Sequence, residues 1–327
     1  MSIIFKNQWI RLIFISTLTL ILANVNTSYG LSSLKVMTYN VNLLPNIPIS
    51  PLTQNLNHPY ERARLIPYQI AKYDPDVVVF QEDIAPIMYY ILNKHMKRVG
   101  FKYKTDVVGS WDFEHINLLN GGVIIYSRYP FAEPPQYFVL PKSYGWEAIS
   151  NKGAVFAAIK KENKVYNVIS AHLQSIDSNS ENKEEQTLHW RIQVNALNQW
   201  IANLNLKADE PLVLAGDVNA NSGISAAGEI TSPSIRYPYY QYLLMALDAK
   251  QAAGYSENTL AFSFDGITNT MNLSSERKTL DHVLCFNGYV CPLLNASSTE
   301  IVALRSLMLE APDLSDHYAV IGNLTYQ

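Results

Sequence analysis

The stretch ERARLIPYQIAKYDPDVVVFQE, residues 61–82, sets the pattern for the whole chain. Residues 61–73 place apolar side chains at helical spacing, and residues 77–82 form a β-branched run typical of a buried strand. A short Asp-Pro-Asp turn separates the two segments, and the strand finishes on the carboxylate of Glu82. We therefore predict a helix, a tight turn and a buried strand with an acidic residue at its end.

The same alternation continues on both sides of this stretch. Segments with helical spacing are residues 87–100, 186–204 and 239–254. Strand-like segments are residues 34–41, 121–127, 154–161, 165–174, 211–220 and 279–286, and an apolar run follows residue 317. Consecutive strands in the middle, with helices at intervals, favour one α/β domain in which two sheets pack face to face with helices outside.

The first thirty residues are typical of a secretory signal. Two basic residues precede an apolar run at residues 12–23, and small residues suited to cleavage follow it. We expect cleavage near Gly30, a single domain over residues 31–327, and a protein secreted to the extracellular space or the periplasm. An uncleaved membrane anchor is the alternative, although the apolar run is short for a spanning helix.

Charge and cysteine content narrow the function classes. The formal net charge of −3 argues against a protein that holds nucleic acid through bulk electrostatics. The two cysteines, Cys285 and Cys291, have no partner pattern that would make either one catalytic. In an oxidising compartment we expect a local disulfide between them.

Polar residues with metal-binding or proton-transfer chemistry recur at the predicted strands. They are Asn40, Glu82, His172, Asp217, Asn219, Asp281, Asp316 and His317. Singly, an Asp or Asn after a strand is usually a turn residue, and a lone histidine usually packs. As a set they predict one shared rim, where oxygen ligands suit Mg²⁺, Mn²⁺ or Ca²⁺ and histidines transfer protons. This chemistry indicates metal-assisted hydrolysis, most naturally of a phosphate ester.

The segments TYNV, VVVFQE, AHLQ, GDVN, LDHV and SDHYAV occur in the order of the endonuclease/exonuclease/phosphatase superfamily, which the chain resembles from residue 34 to its end. Residues 150–175, SNKGAVFAAIKKENKVYNVISAHLQS, are similar to the secreted bacterial sphingomyelinase C branch. The resemblance implies a deoxyribonuclease-like four-layer α/β/β/α sandwich of two packed mixed β-sheets flanked by helices. It also implies a monomeric phosphodiesterase that cleaves membrane sphingomyelin, or another choline phospholipid, to release phosphocholine, with no nucleic acid partner.

The resemblance further implies roles for the rim residues. Glu82 would hold the principal divalent ion with Asn40 nearby; Asp316 would ligate metal or anchor the last strand. Mg²⁺ is the expected ion, with Mn²⁺ or Co²⁺ as substitutes and Ca²⁺ as an inhibitory or structural ion. His317 would be the general base, supported by Asp281, with Asp217 and Asn219 positioning the water or a second ion. His172 would protonate or stabilise the leaving ceramide oxygen.

Weaker predictions concern substrate contacts. Lys152 is a candidate phosphate ligand, or simply a solvated turn lysine. Trp111, Phe113, Tyr144 and Trp146 are loop aromatics that could face a choline ammonium, although most such residues only pack. The segment before Asp316 lacks the tryptophan-bearing hairpin of the sphingomyelinases, which leaves Phe286, Tyr289 and residues 304–309 as candidates for lipid contact or ordinary packing.

Other functions on the same scaffold remain open at this point. A secreted nuclease would need basic residues clustered at the rim, and the densest basic run, residues 160–164, falls in a predicted hairpin instead. An inositol-phosphate phosphatase, a phospholipase C of glycerolipids and a non-catalytic lipid-binding module are the further alternatives.

Overall fold

In this computed structural model the described residues are 30–44, 58–109, 120–177, 179–223, 225–226, 228 and 238–327, and within them lie two six-stranded sheets. The helices are α1 (Pro59–Ala71), α2 (Pro86–Arg98), α3 (Lys183–Ala202) and α4 (Pro238–Ala246). The strands are β1 (Ser32–Asn40), β2 (Val77–Gln81), β3 (Tyr103–Lys104), β4 (Ile124–Ser127), β5 (Gln136–Val139), β6 (Gly153–Lys161), β7 (Lys164–His172), β8 (Leu212–Asp217), β9 (Ala249–Gln251), β10 (Phe264–Asp265), β11 (Arg277–Lys278), β12 (Asp281–Phe286), β13 (Ser298–Val302) and β14 (Ala319–Tyr326).

Both sheets are mixed and share one internal plan. The first sheet has the strand order β13-β14-β1-β2-β4-β3, and the second has β5-β6-β7-β8-β12-β9. Each contains one parallel pair, β1 with β2 and β7 with β8, while the other neighbours run antiparallel. Helix α1 connects the first pair and α3 the second, so a β-α-β unit lies at the centre of each sheet.

Three apolar clusters hold the layers together. Val79, Val155 and Val213 lie in the cluster between the two sheets. The outer face of the first sheet packs on α1 and α2, and the outer face of the second packs on α3 and α4. The predicted α/β/β/α sandwich is therefore confirmed, because both faces of each sheet are apolar and need a covering layer.

The predicted helix over residues 239–254 is wrong in its second half. Helix α4 stops at Ala246, and Asp248 adopts a left-handed backbone with φ of 48°. Residues 249–251 then form the edge strand β9, which pairs with β12. Ala249 and Ala252 are three residues apart, a spacing typical of a helix, but pairing with β12 overrides this local pattern.

The described residues include no helix that is both long and apolar enough to cross a bilayer. The predicted signal sequence, residues 1–30, lies outside the described residues except for Gly30, and it stays a prediction.

Candidate active site

The two β-α-β units deliver polar side chains to one edge of the sandwich. Asn40 is the last residue of β1, and Glu82 directly follows β2; His172 and Asp217 end β7 and β8 and are register partners. Parallel strands bring their carboxyl ends to the same edge of a sheet, which places these four residues together.

Two further residues reach the same edge from the opposite chain direction. Asp281 is the first residue of β12 and pairs with Asp217, and His317 precedes β14. Strands β12 and β14 run antiparallel to β8 and β1, so their beginnings, rather than their ends, lie at this edge. The predicted rim therefore forms from four strand ends and two strand beginnings.

His317 and Asp281 form a buried ion pair. His317 Nδ1 lies 2.8 Å from Asp281 Oδ2, and the ring edge-packs on Phe264 with centroids 5.0 Å apart. Burial lowers the pKa of His317, but the attraction of Asp281 and Asp217 outweighs it and raises the pKa well above its ordinary value. Asp281 therefore holds the imidazole in one orientation and favours its protonated form.

Asp217 lies between the two histidines. Its Oδ2 is 3.8 Å from His317 Nε2 and 3.7 Å from His172 Nε2, and it accepts a hydrogen bond of 3.0 Å from Asn40 Nδ2. Burial, followed by repulsion from Asp281, raises the pKa of Asp217 to about 6. Each of its neighbours can therefore change the charge that this carboxylate carries near neutral pH.

His172 has a different partner, the ammonium of Lys152. Lys152 Nζ lies 3.0 Å from His172 Nε2, 2.8 Å from Leu173 O and 2.9 Å from Glu147 Oε1. An ammonium can only donate, so His172 Nε2 is the acceptor. Burial, then repulsion from Lys152 and His317, lowers the pKa of His172 well below its ordinary value and leaves the ring neutral. Lys152 is buried rather than solvated, and it lies at the rim.

Glu82 and Asp316 are two acidic groups of the rim that repel each other. Burial and then repulsion from Asp316 raise the pKa of Glu82 to about 7, although its side chain keeps 22% exposure. Asn40 donates a hydrogen bond to Glu82, and Ser315 Oγ lies 3.2 Å from Asp316 Oδ1. Oxygen donors with unbalanced negative charge suit a hard divalent ion such as Mg²⁺.

Asp217, Asp281 and His317 form a second set, with ligand atoms within 4.8 Å of one another. A cation among them would compete with the hydrogen bond between His317 and Asp281. The Glu82 set leaves that bond intact, so it is the better candidate for the principal metal.

The backbone at Glu82 needs a close glycine. Glu82 has a backbone φ of 60°, which residues other than glycine rarely adopt. The next residue, Asp83, donates its N–H to Gly122 O at 3.1 Å. A Cβ built on Gly122 would lie 2.8 Å from the Glu82 backbone. The Gly-Gly pair before β4 therefore makes room for the turn that aims the Glu82 carboxylate at the rim.

Asn219 supports the rim rather than facing its centre. It has φ of 52°, its N–H donates to Asp217 Oδ1 at 3.2 Å, and its Nδ2 donates to Leu173 O at 2.9 Å. These bonds fix the chain after β8 against the chain after β7, and both chains carry a predicted catalytic residue.

Arg62 was missed by the sequence reasoning. This fully buried residue of α1 donates to Val41 O, Asn42 O and Leu314 O at 2.8–3.0 Å. It thus ties the chain after Asn40 to the chain before His317. The available signal was an arginine on the apolar face of α1, four residues before buried Ile66.

Glu147 was also missed. Its two oxygens accept hydrogen bonds from Lys152 Nζ at 2.9 Å and from Ser175 N at 3.0 Å. The neighbouring Trp146, a choline candidate, is 66% exposed on the 3-10 turn Gly145–Ile149. Tyr144 packs against His189 instead, while Trp111 and Phe113 lie outside the described residues.

The cysteines lie away from the rim. Cys285 and Cys291 are free thiols beside each other, so the expected disulfide stays a prediction. Phe286 is buried and Tyr289 packs partly against the same core, which makes lipid contact by Phe286 wrong.

Comparison with known proteins agrees with this geometry. The endonuclease/exonuclease/phosphatase family model matches residues 37–317. Sphingomyelinase C 2 of Leptospira interrogans is 34% identical over 242 residues, which is 69% of this chain and 37% of that protein. Sphingomyelinase C of Bacillus cereus is 28% identical over 320 residues, 90% of this chain and 89% of that protein. The chain thus spans little more than a third of the Leptospira relative's own length.

Solved structures show the same fold. The crystal structure of sphingomyelinase C from Streptomyces griseocarneus has a TM-score of 0.72 and 26% identity, covering 90% of this chain and 99% of that one. A Staphylococcus aureus beta toxin mutant with bound magnesium ions has a TM-score of 0.73 and 23% identity, covering 90% of this chain and all of its own.

Proposed function

The chain belongs to the endonuclease/exonuclease/phosphatase family, and from that membership we propose that it is a divalent-metal-dependent phosphodiesterase that hydrolyses sphingomyelin to ceramide and phosphocholine. The observation that carries the proposal is the buried His317–Asp281 pair beside the oxygen donors Glu82, Asn40 and Asp316. The curated relatives named sphingomyelinase C support the choice of substrate.

Glu82, Asn40 and Asp316 would hold the metal, for which Mg²⁺ is our proposal. When bound, the ion would polarise the phosphoryl oxygens and neutralise charge that develops on them. Of the chain's own groups, Arg62 keeps Asn40 in place through the carbonyls on either side of the rim.

His317 would take the proton from the attacking water at Nε2. It can do so only in its neutral form, and the resulting imidazolium is then stabilised by Asp281 at Nδ1. The same hydrogen bond fixes the tautomer, because Nδ1–H donates to the carboxylate and leaves Nε2 free to accept. Asp217, 3.8 Å from Nε2, adds further stabilisation of the cation.

His172 and Lys152 would act on the leaving oxygen. Since His172 Nε2 accepts from Lys152, the proton available at this position is on Lys152 Nζ rather than on the imidazole. We assign the pair jointly to the ceramide oxygen, and Lys152 remains a candidate phosphate ligand. Glu147 keeps the ammonium beside the imidazole.

A lipid substrate is favoured by exposed apolar residues on two loops that are linked to the chain around His317. Leu307 and Met308 are 96% and 82% exposed, and Ile267 and Leu273 are exposed on a second loop. Hydrogen bonds from Thr270 to Asp313 hold the two loops together, and Phe264 bridges to His317. Apolar side chains beside a phosphodiester site suit insertion between lipid headgroups better than contact with a nucleic acid backbone. Trp146, which precedes the Lys152 partner Glu147, is the choline candidate within the described residues, and Trp111 stays a candidate outside them.

One assay tests the proposal. Purified protein lacking residues 1–30 is incubated with Mg²⁺ in three separate reactions. One contains sphingomyelin vesicles, one phosphatidylcholine vesicles and one DNA. We expect phosphocholine release from sphingomyelin, its loss with EDTA and its recovery with added Mg²⁺. Release only from phosphatidylcholine would reassign the enzyme to glycerolipids, and cleavage only of DNA would favour the nuclease.

Export completes the proposal. Residues 1–30 have the composition of a signal sequence, and a substrate in the outer leaflet of another cell requires secretion. Recovery of the protein from the culture medium of an expressing cell, with an N-terminus near residue 31, is the expected result; a cell-associated, uncleaved chain would contradict it.

A further inference from the structure

The two cysteines of the chain lie at the end of β12 that is remote from the rim. Cys285 is the fifth residue of this strand, and Asp281, the first, orients His317. Four residues of extended chain separate the two by roughly 13 Å. Cys291 follows an exposed turn at residues 287–288 and packs against the same intersheet cluster that contains Cys285.

The two thiols differ in access and share a hydrogen bond. Cys285 is 1% exposed, whereas Cys291 is half-buried. Cys291 Sγ also lies 3.4 Å from Phe286 O. The hydrogen bond from Cys285, together with Lys250 nearby, lowers the pKa of Cys291 to about 7, while the same bond and burial raise the pKa of Cys285.

Lys250 reaches this position because of the sheet register. It is the partner of Cys285 in the antiparallel pair of β9 and β12, and its ammonium hydrogen-bonds to Cys291. A thiol next to a cation and partly open to solvent is the more reactive of two, since the thiolate is the attacking species.

From this geometry we infer that Cys285 and Cys291 form a reversible dithiol–disulfide site, in which half-exposed Cys291 attacks a small-molecule disulfide and buried Cys285 resolves the adduct. This goes beyond a passive disulfide, because it assigns the order of attack and the activating residue. It is also independent of the proposed phosphodiesterase activity.

The reaction balances with one disulfide of the glutathione class as oxidant. The Cys291 thiolate attacks one sulfur, forms a mixed disulfide and releases one glutathione thiolate. Cys285 then loses its proton and attacks Cys291 Sγ, which forms the internal disulfide and displaces the second glutathione. The two thiol protons pass to the two leaving thiolates, so the protein is oxidised by two electrons and the oxidant is reduced to two thiols.

The disulfide would fix the crossover between the two sheets. The segment after β12 leads to β13 in the other sheet, and it is held by Val290 N to Glu210 O at 3.4 Å and Leu293 N to Thr325 O at 2.8 Å. A covalent link from Cys291 back to the strand would restrict this segment in the unfolded chain and raise the melting temperature. The rim lies at the other end of β12, so phosphodiester hydrolysis is expected to stay unchanged.

The test uses the full chain, reduced and then treated with oxidised glutathione, and is read by intact mass and peptide mapping. Wild type is expected to lose two hydrogens, keep no adduct and show a Cys285–Cys291 link that dithiothreitol reverses. Cys285→Ser is expected to retain one glutathione on residue 291, whereas Cys291→Ser stays unmodified under native conditions. Lys250→Gln is expected to slow formation of the link.

Three results would overturn the inference. They are a stable glutathione adduct on wild type, equal reactivity of Cys285→Ser and Cys291→Ser, or wild-type thiols that stay unreacted while a solvent-exposed model thiol is consumed. The melting temperature, with and without dithiothreitol, gives a second measurement: oxidised wild type is expected to melt a few degrees above its reduced form, roughly as loop closure predicts. Neither serine variant is expected to show that difference.

Discussion

Two histidines of the rim lie equally close to the carboxylate of Asp217, but their pKa values are shifted in opposite directions. His317 and His172 lie 3.8 and 3.7 Å from Asp217 Oδ2, and both are buried. The pKa of His317 is raised well above its ordinary value, whereas that of His172 is lowered well below it. Burial lowers the pKa of both rings, so the difference comes from their charged neighbours, Asp281 and Asp217 for His317 and the ammonium of Lys152 for His172.

This difference teaches how one rim can separate two proton-transfer roles. The carboxylate of Asp281 favours an imidazole that gains a proton, as a general base does during catalysis. The ammonium of Lys152 keeps the other imidazole neutral and supplies a proton beside it. The charged residue beside each histidine therefore determines whether that imidazole is suited to gain a proton or to stay neutral.

The largest expected effect comes from replacing His317. His317→Ala removes the base, and we expect kcat for phosphocholine release to fall by about 10⁴-fold. The matched control is His95→Ala, since His95 is a buried histidine of α2 that bonds to Tyr68, away from the rim. A comparable loss in the control, or retained activity in His317→Ala, would contradict the assignment.

Removing the charge of Asp281 while keeping its shape sharpens the comparison. Asp281→Asn is expected to lower kcat by about 10²-fold, because the neutral amide no longer fixes the tautomer or stabilises the imidazolium. The pKa of His317 is expected to fall, because the attraction of the Asp281 carboxylate is lost while burial still disfavours the charged ring. NMR titration of the imidazole in the metal-free protein measures this shift, and an unchanged pKa would be the contrary outcome.

The His172 side is tested by Lys152→Met. We expect kcat to fall by about tenfold, as for one lost hydrogen bond to a charged group. The pKa of His172 is expected to rise, because the repulsion from Lys152 disappears, although burial still holds it low. Lys161→Met is the control: Lys161 likewise donates to a carboxylate, that of Asp76, and to a backbone carbonyl, that of Ser33, at the end of β6 remote from Lys152.

The smallest effect is expected outside the two histidine regions. Trp146→Ala should raise KM for sphingomyelin by about two- to fivefold with kcat unchanged, as expected for an exposed cation–π contact. Exposed Leu188→Ala on α3 serves as the comparison. An unchanged KM removes Trp146 from the choline candidates and does not affect the roles proposed for His317 and His172.

Much of the rim could be predicted from the sequence because its residues follow or precede strongly apolar strands. Glu82 after VVVFQ and Asp217 after LVLAG are readable in this way. What could not be predicted depends on strand direction and long-range contact. The antiparallel course of β12 places Asp281 at the rim through its beginning, and no local pattern reports strand direction. Arg62 and Glu147 are defined by partners far along the chain or by a short irregular turn.

The link between Ser315 and the carbonyl of Asn40 has a consequence for the timing of activity. This bond of 2.7 Å joins residues 275 positions apart, and β14 pairs with β1 directly beyond it. Contacts between such distant residues close a very long loop, so they form slowly and late. Asn40 and Glu82, which we propose to hold the metal, and His317, the proposed base, come together only in that step. A chain in which β14 has not yet paired with β1 is therefore expected to be inactive in the proposed hydrolysis.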